Sequence, residues 1–448
     1  MWQIKDNFSG ARNPYARPRP PWGGAGRKLK QKSLSDWLDH IESRHPATIK
    51  LGLNRLRQVQ KRMGLISLSI PVIAVGGTNG KGSVVAMLES VYLAAGYSVA
   101  AYTSPHLMHY RERVRLNGSG VTDETLVAGF EHVDAACEGV KLTYFEYGTL
   151  AAMDIFQRND VDVAILEVGL GGRLDAVNAF DSDVAVVTSV GIDHSEWLGE
   201  TRELIGREKA GIFRAGKPAV CGDAKPPRSL RNTASDLDTR FYLRGRDFAF
   251  SCEDDRCCFT SPTGNIEKLP PPRLRGRVQL NNAATALMTV SCLDDRLPVT
   301  AKAMAQGLER VSLPGRYQQV ATSPQILLDV AHNPDATREL AIFLEDDAND
   351  GRTIAVVGML ADKALTDSLR PLMSMVNIWH LADLPPPRGA RANELENILV
   401  QLEPQSVVRK FNDIKSALSA AQHTARPVDR ILVFGSFIGV GVIMRELI

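Results

Sequence analysis

The chain has 448 residues, with 53 Lys and Arg against 51 Asp and Glu and a formal net charge of +2. That length exceeds what one hydrophobic core fills, so two or three domains are expected, and the near-neutral balance argues neither for nor against an acidic partner. The 44% hydrophobic and 23% charged fractions are ordinary for a soluble protein, and no apolar run is long enough to span a bilayer, so no membrane partner is expected.

Residues 1–31 are rich in Pro, Gly and Arg and nearly free of acid, a composition that cannot bury enough surface to fold. They read as a solvated basic tail. No stacking or base-reading motif accompanies them, so no nucleic-acid partner is expected. A helix follows in SLSDWLDHIESRHP, capped by Ser33 or Ser35, with Leu34, Trp37, Leu38 and Ile41 on one face. Strand and helix patterns then alternate. PVIAV is an apolar strand, SVVAMLESVYLAAG a helix stopped at Gly96, SVAAYT a strand and FEYGTLAAMDIFQRN a helix. VDVAILEVG and DVAVVTSVG are two further apolar strands. Such strands, separated by helices, predict a parallel sheet covered on both faces.

Residues 219–275 carry irregular short β patterns, and NNAATALMTVSCL is a clear helix. SLPGRYQQV, with Pro314 and Gly315, reads as a hinge. Beyond it QILLDVA, TIAVVGML, NIWHLAD and RILVFGS are strands with helices between them. The expected fold is therefore α/β. An N-terminal P-loop-type parallel-sheet ATPase domain covers residues 32–313, and a smaller C-terminal Rossmann-like domain covers 314–448. The six cysteines, Cys137, Cys221, Cys252, Cys257, Cys258 and Cys292, show no C-x-x-C pair and no zinc spacing, and read as scattered thiols of a reducing cytosol.

Open parallel sheets place ligands at the carboxyl ends of their strands. In VIAVGGTNGKGSVV, residues 72–85, the usual G-x-x-x-x-G-K-[ST] spelling is broken: Val75 stands at the first glycine position and Gly82 separates Lys81 from Ser83. A phosphate cradle is made of backbone N–H groups and a helix N-terminus, so the altered spelling keeps its logic, with Lys81 in reach of the β- and γ-phosphates. By the same rule other strands deliver Ser104, Glu167 and His194 to this rim. Glu167 and Ser104 suit magnesium. His194 is a softer donor and reads more readily as a hydrogen-bonded polar residue, while Glu167 could instead pair with Arg173. Lys209 in GREKAGIF reads as a solvent-facing lysine or as a neighbour of the metal. Asp329 reads as a helix-approach cap or a site residue, and Arg316 as a surface charge or a site residue.

GGTNGKGS, TSPHL, ERVRLNG, TYFEYGTLAAM, LEVGLGGRLDAVN, VGIDHSEWLG, REKAGIF, NNAATAL, LPGR and LDVAHNPDA occur in this order. From about residue 33 to the C-terminus, this set resembles the bacterial folylpolyglutamate synthase family in its bifunctional dihydrofolate synthase form. The resemblance implies a cytoplasmic, monomeric, ATP-dependent ligase. It would activate a carboxylate as an acyl phosphate and couple it to L-glutamate, with dihydropteroate and tetrahydrofolate as acceptors. It also implies that Thr78, Asn79, Gly80, Lys81, Gly82 and Ser83 hold the ATP phosphates and that Asn282, Arg316 and Asp329 contact ATP. Ser104, Glu167, His194 and a carbamylated Lys209 would hold two magnesium ions, with Lys81, His194 and Lys209 carrying the catalysis. Lys50, Leu51, Gly52, Thr143, Tyr144, Phe145, Glu146, Leu174, Asp175 and Ala176 would line the pterin site. His332 and Ser436 would meet glutamate. Family members with dihydrofolate synthase activity often carry Asp where Lys50 stands, which leaves that contact to backbone or neighbours. A muramyl-type amino-acid ligase is the alternative in the same mechanistic class, and a P-loop phosphotransferase or ATP-gated switch the alternative outside it.

Overall fold

The computed structural model describes residues 32–44, 50–66, 68–253 and 256–447, so the basic tail lies outside the described residues. Seventeen strands make three sheets. The first holds β1 (Val72–Gly76), β2 (Val99–Tyr102), β3 (Val114–Leu116), β4 (Ser119–Gly120), β5 (Val163–Glu167), β6 (Val184–Val187), β7 (Pro218–Cys221) and β8 (Arg240–Leu243), in the spatial order β4-β3-β2-β5-β1-β6-β7-β8. The six strands from β2 to β8 pair in parallel. The ERVRLNG segment adds what the sequence pattern did not announce, an antiparallel hairpin β3–β4 on the β2 edge.

Both faces of this sheet are buried, which is why its strands read as unbroken apolar runs. Ala74, Ala100, Leu166 and Val187 point into one core, and Ile73, Val75, Ile165 and Val186 into the other. The helix Leu34–Arg44 lays Trp37 and Ile41 on the first core, with Leu34 and Leu38 packed beside them. Its cap is Ser33, whose Oγ accepts the Asp36 N–H at 3.2 Å.

β9 (Ala249–Glu253), β10 (Arg256–Ser261) and β11 (Gly264–Leu269) form a small antiparallel sheet. Cys252 and Cys257 lie directly across β9 and β10 and close a disulfide. This corrects the reading of six unpaired thiols. A search for metal spacing does not test cross-strand register, and register is what brings this pair together.

The third sheet holds β12 (Gln318–Thr322), β13 (Gln325–Leu328), β14 (Thr353–Val357), β15 (Ile378–Ala382), β16 (Val407–Phe411) and β17 (Arg430–Phe434), in the order β12-β13-β17-β14-β15-β16. Only β12 is antiparallel. Its two faces again bury separate cores, with Leu327, Ala355 and Leu432 on one side and Ile326, Ile354 and Ile431 on the other. The chain passes into this sheet through Gly315 and Tyr317, both with positive φ, of 71° and 43°. No helix among the described residues is long and apolar enough to cross a membrane.

Candidate active site

The carboxyl ends of both parallel sheets open on one cavity of about 1630 Å³. Every site residue that the resemblance implied lines it, apart from Gly52. Gly52 sits just behind: its N–H reaches the Leu174 carbonyl at 3.4 Å, which ties the Lys50–Gly52 segment to the Leu174–Ala176 loop. The Lys50 carbonyl accepts from the Arg55 guanidinium, so here the backbone of Lys50 is the anchored part.

The loop after β1 explains its own spelling. Helix Lys81–Ala94 starts directly from Gly80, which holds φ at 87°. A Cβ on Gly80 would stand 2.6 Å from the Asn282 side chain, so glycine alone lets that asparagine close over the loop. The Lys81 ammonium folds back to the carbonyls of Gly77 and Thr78, at 3.1 Å each. Burial depresses its pKa, against the pull of Glu167 and Asp193. Thr78 and Asn79 are fixed to the loop after β6: Thr78 Oγ1 donates to Gly191 O at 3.1 Å, and the Asn79 N–H to Ser189 Oγ at 2.9 Å. The first N–H groups of a 14-residue helix, a half-buried lysine and a rigid backbone make an anion cradle.

Glu167 ends β5 almost fully buried and accepts the Ser104 N–H at 3.0 Å. Burial raises its pKa, with Lys81 the main opposing charge. Arg173 is not its partner, since that guanidinium pairs with Glu208 at 2.8 Å. His194 adopts a left-handed backbone, φ 53°, at the start of the short helix Ser195–Leu198. A non-glycine residue held there costs about 1–2 kcal/mol, which the surrounding structure must hold in place. Burial carries its imidazole down to about 4, against the pull of Asp193, so it is neutral at physiological pH.

Lys209 is only 3% exposed, which excludes the solvent-facing reading. Among the described residues it has no ion-pair partner. Burial, reinforced by Lys81, brings its amine down to about 7. It lies behind the loop that carries Asp175, whose carboxylate accepts the N–H groups of Leu170 and Val177 at 2.8 and 3.0 Å.

The aromatic end is built by helix Tyr144–Arg158. Thr143 and Glu146 form a reciprocal capping box: Glu146 Oε2 accepts the Thr143 N–H at 2.8 Å, and Thr143 Oγ1 accepts the Glu146 N–H at 3.3 Å. Glu146 Oε2 also meets Arg55 at 2.8 Å, whereas its Oε1 is buried with no hydrogen-bond partner among the described residues. Glu146 lines the cavity, and a buried carboxylate oxygen without a donor is an unmet acceptor at this end of it.

The C-terminal sheet closes the other wall. Asp329 accepts the N–H groups of Ala331 and Tyr317, at 2.7 and 3.0 Å, and is not the helix cap. The cap is Asn333, which starts helix Pro334–Asp346. Asn333 also forms a reciprocal amide pair with Asn79, at 3.1 and 2.9 Å, and donates to Asp193 at 3.1 Å. Arg316 is no surface charge, since it lies over the Phe437 ring at 5.3 Å inside the cavity. His332 fixes its ring by an Nδ1 contact to the Val330 carbonyl at 2.8 Å. Ser436, 2% exposed, accepts the Gly439 N–H at 3.0 Å.

Lys363 is the site residue the sequence reading missed. It follows β14, has a side chain 4% exposed, and places Nζ 2.7 Å from Asp193 Oδ1 and 3.3 Å from His194 Nε2. The strand-end rule that found the N-terminal rim would have found it too, had it been applied to the residues just past TIAVVGML. Burial pushes Asp193 up, but Lys363 together with His194 and His332 outweighs it and holds the carboxyl well below the usual carboxylate range.

Among the described residues no three His, Cys, Asp or Glu side chains gather into a metal cluster. A single carboxylate, a hydroxyl and an imidazole on one rim fit a hard divalent ion that keeps water and takes its other oxygens from phosphate, the habit of magnesium.

Two α/β domains that turn a phosphate cradle and a buried lysine toward each other define an ATP-dependent ligase of the Mur type. Family models agree: residues 75–290 match the Mur ligase middle domain, and residues 315–437 the Mur ligase, glutamate ligase domain. The dihydrofolate synthase/folylpolyglutamate synthase of Escherichia coli (strain K12) is 43% identical over 414 residues, covering 92% of this chain and 95% of that protein. The E. coli structure of FolC in complex with DHPP and ADP superposes with a TM-score of 0.88 at 42% identity, over 93% of this chain and 97% of that one. A bifunctional folylpolyglutamate synthase/dihydrofolate synthase with Mn, AMPPNP and L-glutamate bound gives 0.86 at 42% identity, over 93% and 98%. The chain belongs to the dihydrofolate synthase/folylpolyglutamate synthase family.

Proposed function

We propose that this protein joins the amine of L-glutamate to the carboxylate of dihydropteroate, forming dihydrofolate, and to that of folates, forming polyglutamates, with ATP as the activating reagent. The observation that carries this reading is the shared cavity: the phosphate cradle, the isolated Lys209 and the Glu167–His194 rim face Arg316, Asp329 and His332 of the second domain. The domains run over residues 32–313 and 314–448. Thr78 to Ser83 hold the triphosphate, and Asn282, Arg316 and Asp329 the rest of the nucleotide. The substrate carboxylate attacks the γ-phosphorus and ADP leaves. The glutamate amine then attacks the acyl carbon, an amide C–N bond forms, and phosphate departs with a proton released. Lys81 screens the like charges of carboxylate and triphosphate as they approach. Two magnesium ions, held by Ser104, Glu167, His194 and Lys209, supply the remaining charge neutralisation when bound. Lys209 takes part as its carbamate, formed when its neutral nitrogen adds to carbon dioxide and loses a proton. The closed amide contact between Asn79 and Asn333 keeps water from the acyl phosphate. The reading is tested by labelling the acceptor carboxylate with heavy oxygen: the acyl-phosphate route places one labelled oxygen in the released phosphate, and unlabelled phosphate would exclude it.

The aromatic end takes the pterin, between Thr143–Glu146, Leu174–Ala176 and Lys50–Gly52. The orphan Oε1 of Glu146 is matched by the ring N–H and amino donors of a pterin. Glu146→Gln keeps the shape and removes the charge, so the KM for dihydropteroate should rise by roughly 10- to 100-fold while the KM for ATP stays within a factor of about two. Steady-state kinetics on both substrates decides this, and equal shifts in the two constants would refute the assignment.

A further inference from the structure

The loop Thr103–His109 joins the two domains, and one side chain makes it rigid. Its first residues belong to the N-terminal rim: the Ser104 N–H meets Glu167 at 3.0 Å, and the Thr103 N–H meets Arg113 O at 2.9 Å. Its last residues belong to the C-terminal domain. Leu107 and Met108 pack against the core of the third sheet, and Arg445, on the terminal helix Phe437–Leu447, donates from Nη1 to the Met108 carbonyl at 3.0 Å. The helix comes so near that a Cβ on Gly441 would stand 2.1 Å from the Leu107 carbonyl oxygen.

Between these ends stands Glu112. Its carboxylate accepts three successive backbone N–H groups, of Leu107 at 2.8 Å, Met108 at 2.8 Å and His109 at 2.6 Å. Its carbonyl accepts from Thr103 Oγ1 at 3.2 Å and from Arg115 at 3.0 Å. A capping box for the short turn Tyr110–Arg113 needs only the contact to His109. The two further bonds, upstream of the cap, do nothing for that turn and gather the loop into one block. Charge-assisted bonds of this kind are about twice as strong as neutral ones, so the block moves as a unit.

We infer that Glu112 is a positioning residue: it makes the loop a lever through which the terminal helix, by Arg445 and Gly441, sets Ser104 against Glu167 when the domains are closed. The inference rests on the reading of Ser104 as a ligand of the divalent ion. A lever that works through the ligand shell changes metal affinity, whereas a residue that only stabilises the fold changes the melting temperature and leaves metal affinity alone.

The experiment titrates Mn2+ into the full chain with a non-hydrolysable ATP analogue present and follows free Mn2+ by its paramagnetic resonance. Ser104→Ala, Glu112→Gln, Arg445→Met and Arg445→Lys are compared with the unaltered protein. Ser104→Ala, Glu112→Gln and Arg445→Met should each weaken Mn2+ binding about tenfold, the usual effect of disturbing a ligand or its support. Metal-free nucleotide binding should hold in all three and the melting temperature in Arg445→Met, whose side chain is exposed, and Arg445→Lys, which retains a donor for the Met108 carbonyl, should recover most of the affinity. Weakened binding in Ser104→Ala alone overturns the lever and leaves the ligand reading standing. Unchanged binding in Ser104→Ala overturns both. If Glu112→Gln does not fold, Arg445→Met, an exposed side chain, decides the matter alone.

Discussion

Lys209→Ala should lose amide-forming turnover by at least about a thousandfold while ATP still binds, because the cradle and the lysine are separate structures. The cradle is backbone from Gly77 to Ser83, bonded to the loop after β6. Lys209 comes from helix Arg202–Ala210, on the far side of the loop that carries Asp175. An ordinary ammonium there would repel a divalent cation. Burial brings the Lys209 amine down to about 7, which leaves a large neutral fraction at physiological pH. A neutral amine is the form that adds carbon dioxide, so activity lost on stripping carbon dioxide should return with bicarbonate. At a fixed concentration of dissolved gas it should return faster above about pH 7 than below it, since the neutral form grows as pH rises through the folded value. Nucleotide binding by calorimetry, measured beside turnover, separates this outcome from general damage. Full turnover in Lys209→Ala would remove the carbamate from the account.

Lys81→Met should fail differently, losing turnover by about 100- to 1000-fold and ATP affinity with it. The Lys81 ammonium is held by the carbonyls of Gly77 and Thr78. Its removal leaves a carboxylate facing a triphosphate with one cation fewer, a charge problem that methionine of similar length does not solve. The pair of variants thus assigns the two lysines, one to the phosphates and one to the metal side. Equal nucleotide affinity in both would contradict that division.

The fold was legible because both sheets are buried on both faces. Runs such as PVIAV and RILVFGS leave little room for any other reading. What escaped was structure made by pairing and not by local pattern. The β3–β4 hairpin lies at an edge, where its alternating Arg and Leu are a weak signal, and the Cys252–Cys257 link depends on register. Within the site, the strand-end rule brought Lys81, Ser104, Glu167 and His194 to one rim with no coordinates. It left His194 and Lys209 ambiguous, because burial decides their chemistry and burial is a property of the assembled fold. Lys363 was missed as a site residue, and Asn333, which the strand-end rule delivers to the second rim, was given no role, for a related reason. Their partners, Asp193 and Asn79, lie in the other domain, and only the assembled cavity brings them within hydrogen-bonding distance.

The central claim is that this cavity couples ATP cleavage to amide formation with L-glutamate on two acceptors. Phosphate release should be measured on the purified full chain with ATP, magnesium and L-glutamate, with dihydropteroate in one reaction and tetrahydrofolate in another. The account predicts release in both, and none in either when glutamate is withheld. Release that ignores glutamate, or no release with either acceptor while ATP remains bound, would contradict it.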